Sequence, residues 1–92
     1  MITFKGKEYP IRTLFIRDEA KLAKQMMRLQ DADLEVKADA MIEIIRVNTG
    51  IDLGDLNGAT LEEIRVTFGQ IIAERAALRG KIEGEEPAGG NV

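Results

Sequence analysis

LEVKADAMIEIIRVNTG, residues 34–50, is the stretch of this sequence that decides the fold. At 100° per residue its apolar side chains form two adjacent lines along a helix. The first line consists of Val36, Ala40, Ile44 and Val47, and the second of Met41 and Ile45. An apolar arc this wide exceeds what one neighbouring helix can cover. We therefore predict a helix over 34–48 that either lies at the centre of the fold or offers part of its arc to a partner. Gly50 is placed to end it, and Asp31 or Asp33 to cap its start.

The residues before this stretch predict another helix, over 17–30, with Asp18 and Glu19 in its first turn. Its apolar face carries Leu22, Met26 and Leu29 at intervals of four and three residues, and Ala20, Ala23 and Met27 widen that face. Cationic side chains fall together on the opposite side, and they are Arg17, Lys21, Lys24 and Arg28. This helix is thus expected to have an apolar face and a basic stripe.

Residues 2–13 alternate between apolar and polar positions, as β-strands do. Gly6 can supply the positive φ of a tight turn, so we predict a β-hairpin with strands over 1–5 and 8–13. Pro10 cannot donate to a ladder, which makes its strand an edge or turns its nitrogen outward. A lone hairpin is marginal in water. It must pack on the helices or add strands from another subunit.

The second half of the chain predicts one more helix and a tail. Residues 51–59 read as a loop or a broken helical turn, and Thr60-Leu61-Glu62-Glu63 forms a capping box that starts a helix expected to end near Arg79-Gly80. Gly69 in its middle either allows close approach of another backbone or has no role. Residues 83–92 have almost no apolar content and predict a disordered tail. The fold class is mainly α (α+β): an N-terminal β-hairpin followed by about three α-helices in a small bundle, as one domain over 1–82.

The composition argues against catalysis. The 92 residues include no histidine and no cysteine, which removes the commonest general base and the thiolate ligand of zinc. The carboxylates fall on predicted helix faces and in loops, and no phosphate-binding glycine loop is present. Placing Gly58 at the glycine position of a calcium loop puts Leu53 and Ile64 at its end ligands. We expect no enzymatic activity, no metal and no cofactor.

No stretch approaches 18 consecutive apolar residues, and the opening residues lack the apolar run of a signal peptide. A cytoplasmic protein that does not span a membrane is expected.

The net charge of −3 is unevenly placed: residues 1–30 carry +4 and residues 31–92 carry −7. Either these charges are solvated helix faces, or the two parts attract each other within one chain or between subunits. The acidic total disfavours nucleic-acid binding, and we expect a homo-oligomer.

The wide apolar arc of the second helix predicts a surface that self-associates or binds a segment of another protein. Methionine adapts to varied partners, and Ile42 falls among charged residues on the far side of its helix. The predicted partner-contacting residues are Met26, Met27, Met41, Ile42 and Ile45. For all of them except Ile42, a place in the core is the alternative.

The opening ITFKGKEYPIRTLFIRD, residues 2–18, resembles the start of the small tail assembly chaperones of long-tailed bacteriophages. Those proteins often begin with a hairpin of the pattern F-x-G-K-x-Y-x-[IL]-R-x-L-x-x-[RK]-D that leads into a helix. NTGI at 48–51 and LNGATLEEI at 56–64 also resemble the family, in which a short loop precedes a helix. The resemblance covers about residues 2–75 and consists of turn and hydrophobicity patterns.

The resemblance implies a function. Chaperones of this kind bind the long, coiled-coil-rich tape measure protein, keep it soluble, help recruit tail-tube subunits around it, and are absent from the finished virion. A phage tail assembly chaperone in the host cytoplasm is therefore expected, with the tape measure and tail-tube proteins as partners. The alternatives are a small regulatory or antitoxin-like protein that uses its basic first helix to bind nucleic acid or a partner protein, and a structural phage component.

Overall fold

A computed structural model of the chain describes the backbone of residues 1–90 and the side chains of residues 1–79. The elements in chain order are β1 Ile2–Phe4, β2 Lys7–Tyr9, α1 Ile16–Arg28, α2 Leu34–Thr49, α3 Leu53–Asn57 and α4 Leu61–Gly90. The predicted mainly α fold with an N-terminal hairpin is confirmed. The short helix α3 occupies the segment that the sequence left open between a loop and a broken helical turn.

The strands β1 and β2 form an antiparallel hairpin in which Thr3 pairs with Glu8. Its turn has positive φ at both central positions, 48° at Lys5 and 78° at Gly6, as a type I′ turn requires. The strands are shorter than the predicted 1–5 and 8–13. The second strand stops just before Pro10, whose nitrogen has no hydrogen to give to a ladder.

The outer edge of β1 is closed by a side chain from α4. The backbone N–H of Thr3 donates to Oε1 of Gln70 over 2.7 Å. In return, Nε2 of Gln70 donates to the carbonyl oxygen of Thr3 over 2.8 Å. One amide group thus makes the pair of bonds that a third strand would make, and it ties the hairpin to α4.

The helix α2 is central, because it packs against α1, α3 and α4. This decides between the two alternatives that its wide apolar arc left open. The core cluster consists of Ile2, Phe4, Met41, Ile44, Ile45, Ile51, Leu56, Ile64 and Ile71. By contrast, α1 contributes no fully buried residue and lies at the edge of the bundle.

The ends of α2 follow the predicted signals. Of the two candidate caps, Asp33 takes the position, and its carboxylate accepts from the N–H of Glu35 over 2.9 Å. At the other end Gly50 adopts a left-handed φ of 75° and donates its N–H to the carbonyl of Arg46 over 2.8 Å. The left-handed φ favours glycine at this position, where a Cβ would lie 3.3 Å from the Arg12 guanidinium.

The predicted capping box starts α4. The hydroxyl of Thr60 accepts from the N–H of Glu63 over 3.1 Å, and the carboxylate of Glu63 accepts from the N–H of Thr60 over 2.9 Å. The backbone continues to Gly90, past the end expected near Arg79-Gly80. Extending an existing helix adds one hydrogen bond for each residue fixed. The structure thus differs from the predicted tail over 83–90, and residues 91 and 92 lie outside the described residues.

Candidate protein-binding surface

Two of the five predicted partner-contacting residues belong to the core. Ile45 is 0% exposed and Met41 is 9% exposed. Neighbouring elements cover the arc of α2 that the sequence left open, so neither side chain is available to a partner in this fold. We correct the prediction by removing Met41 and Ile45 from the candidate surface.

A third predicted residue, Ile42, is half-buried and packs against the core. It lines a depression of about 330 Å³ together with Arg28 and Glu43. The depression is mainly polar. Ile42 therefore offers a partner little apolar area.

The other two predicted residues lie on the surface of α1. Met26 is 44% exposed and Met27 is 75% exposed. Because α1 has no buried residue of its own, these methionines are held mainly by their helix rather than by a surrounding core. They remain candidates for partner contact.

Met26 borders a groove of about 280 Å³ between α1 and α4. The floor comes from α2 and α4 and includes the buried side chains of Ile44 and Ile71. One wall is formed by Leu22, Ala23 and Met26 of α1, and the facing wall by Ile72, Arg75 and Arg79 of α4. The groove is thus an apolar cleft with charged side chains on both walls, since Glu19 also lines it from α1.

Apolar side chains extend this surface beyond the groove. Ile16 is 86% exposed and Phe15 is 71% exposed at the start of α1. Leu78, seven residues after Ile71 on the same face of α4, is 42% exposed. The sequence prediction missed Ile16 because it started the helix at residue 17. A start one residue earlier would have placed Ile16 in line with Ala20 and Ala23.

A hydrogen-bonded network at one end of the groove joins three parts of the chain. Nε of Arg75 donates to the Oδ1 atom of buried Asn48 over 2.7 Å, and Nη2 of Arg75 donates to the carbonyl of Arg12 over 2.7 Å. The N–H of Arg12 donates to the carbonyl of Asn48 over 2.7 Å, and Nδ2 of Asn48 donates to the carbonyl of Ile44 over 2.8 Å. Burial lowers the pKa of Arg75, while the nearby carboxylate of Glu19 raises it. The sequence pattern treated Asn48 as part of a helix stop and gave no signal for this network.

The basic stripe lies on the side of α1 away from its packed face. Arg17, Lys21 and Lys24 are exposed, and Arg28 donates to Oε1 of Gln25 over 2.9 Å. Within the described side chains, the ion pairs are the amino group of Met1 with Glu74 at 2.7 Å and Arg46 with Glu43 at 3.0 Å. Neither involves α1. Within the described part of one chain, its cations are therefore solvated rather than paired with the acidic half.

Among the described residues, no three or more His, Cys, Asp or Glu side chains are grouped so as to hold a metal ion. The described helices also include none with both the length and the apolar content needed to cross a bilayer. No protein-family model, curated protein or solved structure matches this chain.

Proposed function

We propose that this protein is a tail assembly chaperone of the kind found in long-tailed bacteriophages, which binds the tape measure protein and helps recruit tail-tube subunits. One observation carries the proposal: the apolar surface that runs along α1 and across the groove to α4. It includes the exposed side chains of Ile16, Met26, Met27, Ile72 and Leu78. Exposed apolar side chains on two helices that border a groove mark a site of interaction with another protein.

The groove suits a helical client. A client helix with one apolar face would lay that face against Met26 and Ile72 and remove both from water. Each square ångström of apolar surface buried contributes about 25 cal/mol. Methionine adds adaptability, because its unbranched thioether side chain fits irregular surfaces.

The test is co-expression with the tape measure protein, in which the soluble fraction of the client is measured. The wild-type chain is expected to raise that fraction. Ile72→Glu, which puts a charge into the groove, is expected to abolish the effect. Val66→Glu is the matched control, since Val66 is also an apolar residue of α4, is 53% exposed and lies outside the groove. No rise with the wild-type chain would overturn the proposal.

A second candidate function is favoured by a different observation. The exposed cations Arg17, Lys21 and Lys24 lie together on α1 and would suit a regulatory or antitoxin-like protein that contacts nucleic acid. The net charge of −3 and the lack of aromatic residues on α1 count against it. Salt-sensitive DNA binding in a gel shift, lost in Arg17→Glu/Lys24→Glu, would favour this function over the chaperone.

A further inference from the structure

We infer that α1 docks a partner α-helix that has a 3.5-residue apolar repeat and acidic side chains along one flank. This inference rests on the proposed chaperone function, because it names the chemistry of the client segment that α1 would hold. Two observations carry it: the spacing of the exposed apolar residues on α1, and the charge of the residues beside them.

Four of the five exposed apolar residues of α1 follow the spacing of a coiled-coil seam, and Met26 lies beside them. The four are Ile16, Ala20, Ala23 and Met27, at intervals of four, three and four residues. These intervals are those of the a and d positions of a heptad, which keep a straight line facing one partner helix. The packed face of the same helix, with Leu22 and Leu29 against the core, lies about 140° away. The seam is thus separate from the contact of α1 with α2.

The seam is open in the described structure. Ile16 is 86% exposed and Met27 is 75% exposed, and Ala20 and Ala23 between them are also exposed. The two alanines matter for shape, because small side chains at the centre of a seam let a second helix backbone approach closely. The larger side chains of Ile16 and Met27, at the two ends of the seam, would then pack against the partner helix.

The flanks of the seam determine the charge of the partner. Arg17 and Lys24 follow the seam residues Ile16 and Ala23, and therefore line one side as e positions of the heptad. Glu19 and Met26 line the other side, next to the groove. Arg17 and Lys24 form no ion pair within the described side chains. A partner helix with Asp or Glu facing them would pair with both.

A second copy of this chain fits the seam less well. Antiparallel pairing of two α1 helices would set the Arg17 and Lys24 flank of one copy against the same flank of the other. Parallel pairing would allow Glu19 to meet Lys24, but each copy also brings the +4 net charge of its residues 1–30 to the contact. An acidic client helix meets no such repulsion.

The test uses two synthetic helical peptides of three heptads with the same apolar seam. One carries Glu and the other carries Lys at the flanking positions. Calorimetric titration into the full chain is expected to show about tenfold tighter binding of the Glu peptide at low salt, and a smaller difference at high salt. Equal affinity for the two peptides would overturn the inference.

Variants of the chain test the assignment to α1. Arg17→Glu/Lys24→Glu is expected to reverse the preference, so that the Lys peptide binds more tightly. Lys7→Glu/Arg65→Glu makes the same change in net charge at exposed positions away from the seam, and should keep the preference for the Glu peptide. Met27→Glu should lower the affinity of the chain for both peptides. Circular dichroism checks that each variant is folded, and an unchanged preference in a folded Arg17→Glu/Lys24→Glu chain would contradict the inference.

The outcomes separate this inference from the proposed function. If co-expression keeps the tape measure protein soluble but neither peptide binds, the docking surface is wrong and the chaperone function stands. If the Glu peptide binds but the tape measure protein gains no solubility, the surface stands and its client is wrong. If the chain alone is a dimer in light scattering and Met27→Glu is a monomer, the seam is occupied by a second copy and the inference is overturned.

Discussion

Asn48 and Arg75 make the most specific side-chain contact in the core region. The amide of Asn48 is buried, bonds back to its own helix, and accepts from the guanidinium of Arg75. Arg75 in turn holds the carbonyl of Arg12, so the linker before α1 is fixed to α2 and α4. A buried polar group is costly when it loses its partner, which makes this site sensitive to substitution.

Asn48→Ala is expected to lower the free energy of unfolding by about 2–3 kcal/mol, because it leaves a partly buried guanidinium without its acceptor and opens a small cavity. Urea denaturation measures the loss. Asn57→Ala, on the exposed face of α3, is the control and should change stability by less than about 0.5 kcal/mol. Equal effects of the two changes would show that the network contributes nothing specific.

Gly69→Ala is expected to stabilise the chain. Nothing lies within 4 Å of the position that a Cβ would occupy at Gly69, and glycine in a helix interior costs about 1 kcal/mol relative to alanine. The gain should appear as a rise in Tm of a few degrees. Gly50→Ala is the contrasting variant and should lower Tm, since Gly50 has a φ of +75°. A lower Tm for Gly69→Ala would mean that another backbone approaches the glycine.

The sequence predicts the structural roles of some single residues and not of others. The capping residues Asp33, Thr60 and Glu63 and the terminator Gly50 were predictable, because each acts on its own segment through hydrogen bonds within a few residues. The pair Asn48 and Arg75 was not, since 27 residues separate them and only the packing of α2 against α4 brings them together.

At the scale of elements, the contact between β1 and α4 depends on Gln70. Gln70→Ala is expected to cost about 1–2 kcal/mol, the net value of two hydrogen bonds. It should also speed hydrogen exchange at the N–H of Thr3, which loses its acceptor. Gln30→Ala, at an exposed position outside the sheet, is the control. Unchanged exchange at Thr3 in Gln70→Ala would contradict the closed edge.

The same contact bears on self-association, which stays a prediction. With Gln70 on the outer edge of β1, a hairpin from another subunit could add only to β2. That edge is short, because Pro10 follows it. Oligomers built through the hairpin would therefore be weak in the wild type.

The start of α4 should give the stability of the chain a measurable pH dependence. The backbone N–H of Thr60 holds the pKa of Glu63 below its ordinary value. A depressed folded pKa contributes stability above the unfolded pKa, and this is lost as pH falls through the folded pKa. The urea midpoint of the wild type should therefore exceed that of Glu63→Gln at neutral pH and match it in strong acid. A constant difference between the two would show that the charge has no role.

Helical periodicity predicted the bounds of the helices better than it predicted which side chains the neighbouring elements bury. It placed α1, α2 and the start of α4 within a few residues. It could not tell which parts of the α2 arc are covered, because Met41, Ile42 and Ile45 differ in burial through tertiary contacts alone. For this reason two of the five candidate partner residues, Met41 and Ile45, are buried, and Ile42 is half-buried.

Deletion of residues 1–10 is expected to destabilise the whole molecule far more than deletion of residues 83–92. The core cluster begins at Ile2 and ends at Ile71. Deleting residues 1–10 removes Ile2 and Phe4, each worth about 2–5 kcal/mol as a buried side chain, and should prevent cooperative unfolding in a thermal melt. Deleting residues 83–92, a segment of the same length, should leave a cooperative transition with nearly the same Tm. A large loss from the second deletion would contradict a domain bounded at residue 82.

The fold class was predictable as a whole, and the function less so. Segment lengths, turn residues and apolar spacing are local properties, and they sufficed for a hairpin followed by a small helical bundle. The groove between α1 and α4 required the relative placement of two helices far apart in sequence. Its residues Met26 and Ile72 share no pattern that a sequence could display.

Thr3 and Gln70 are 67 residues apart, so the hydrogen bonds between them can form only after α4 has been synthesised. Translation delivers the hairpin before α4, the helix that covers it. Until Ile64, Gln70 and Ile71 have left the ribosome, the nascent chain has an unpaired strand edge and two uncovered apolar side chains, Ile2 and Phe4. Contacts between distant parts of a chain form slowly, so closure of the sheet edge is a late event in biogenesis.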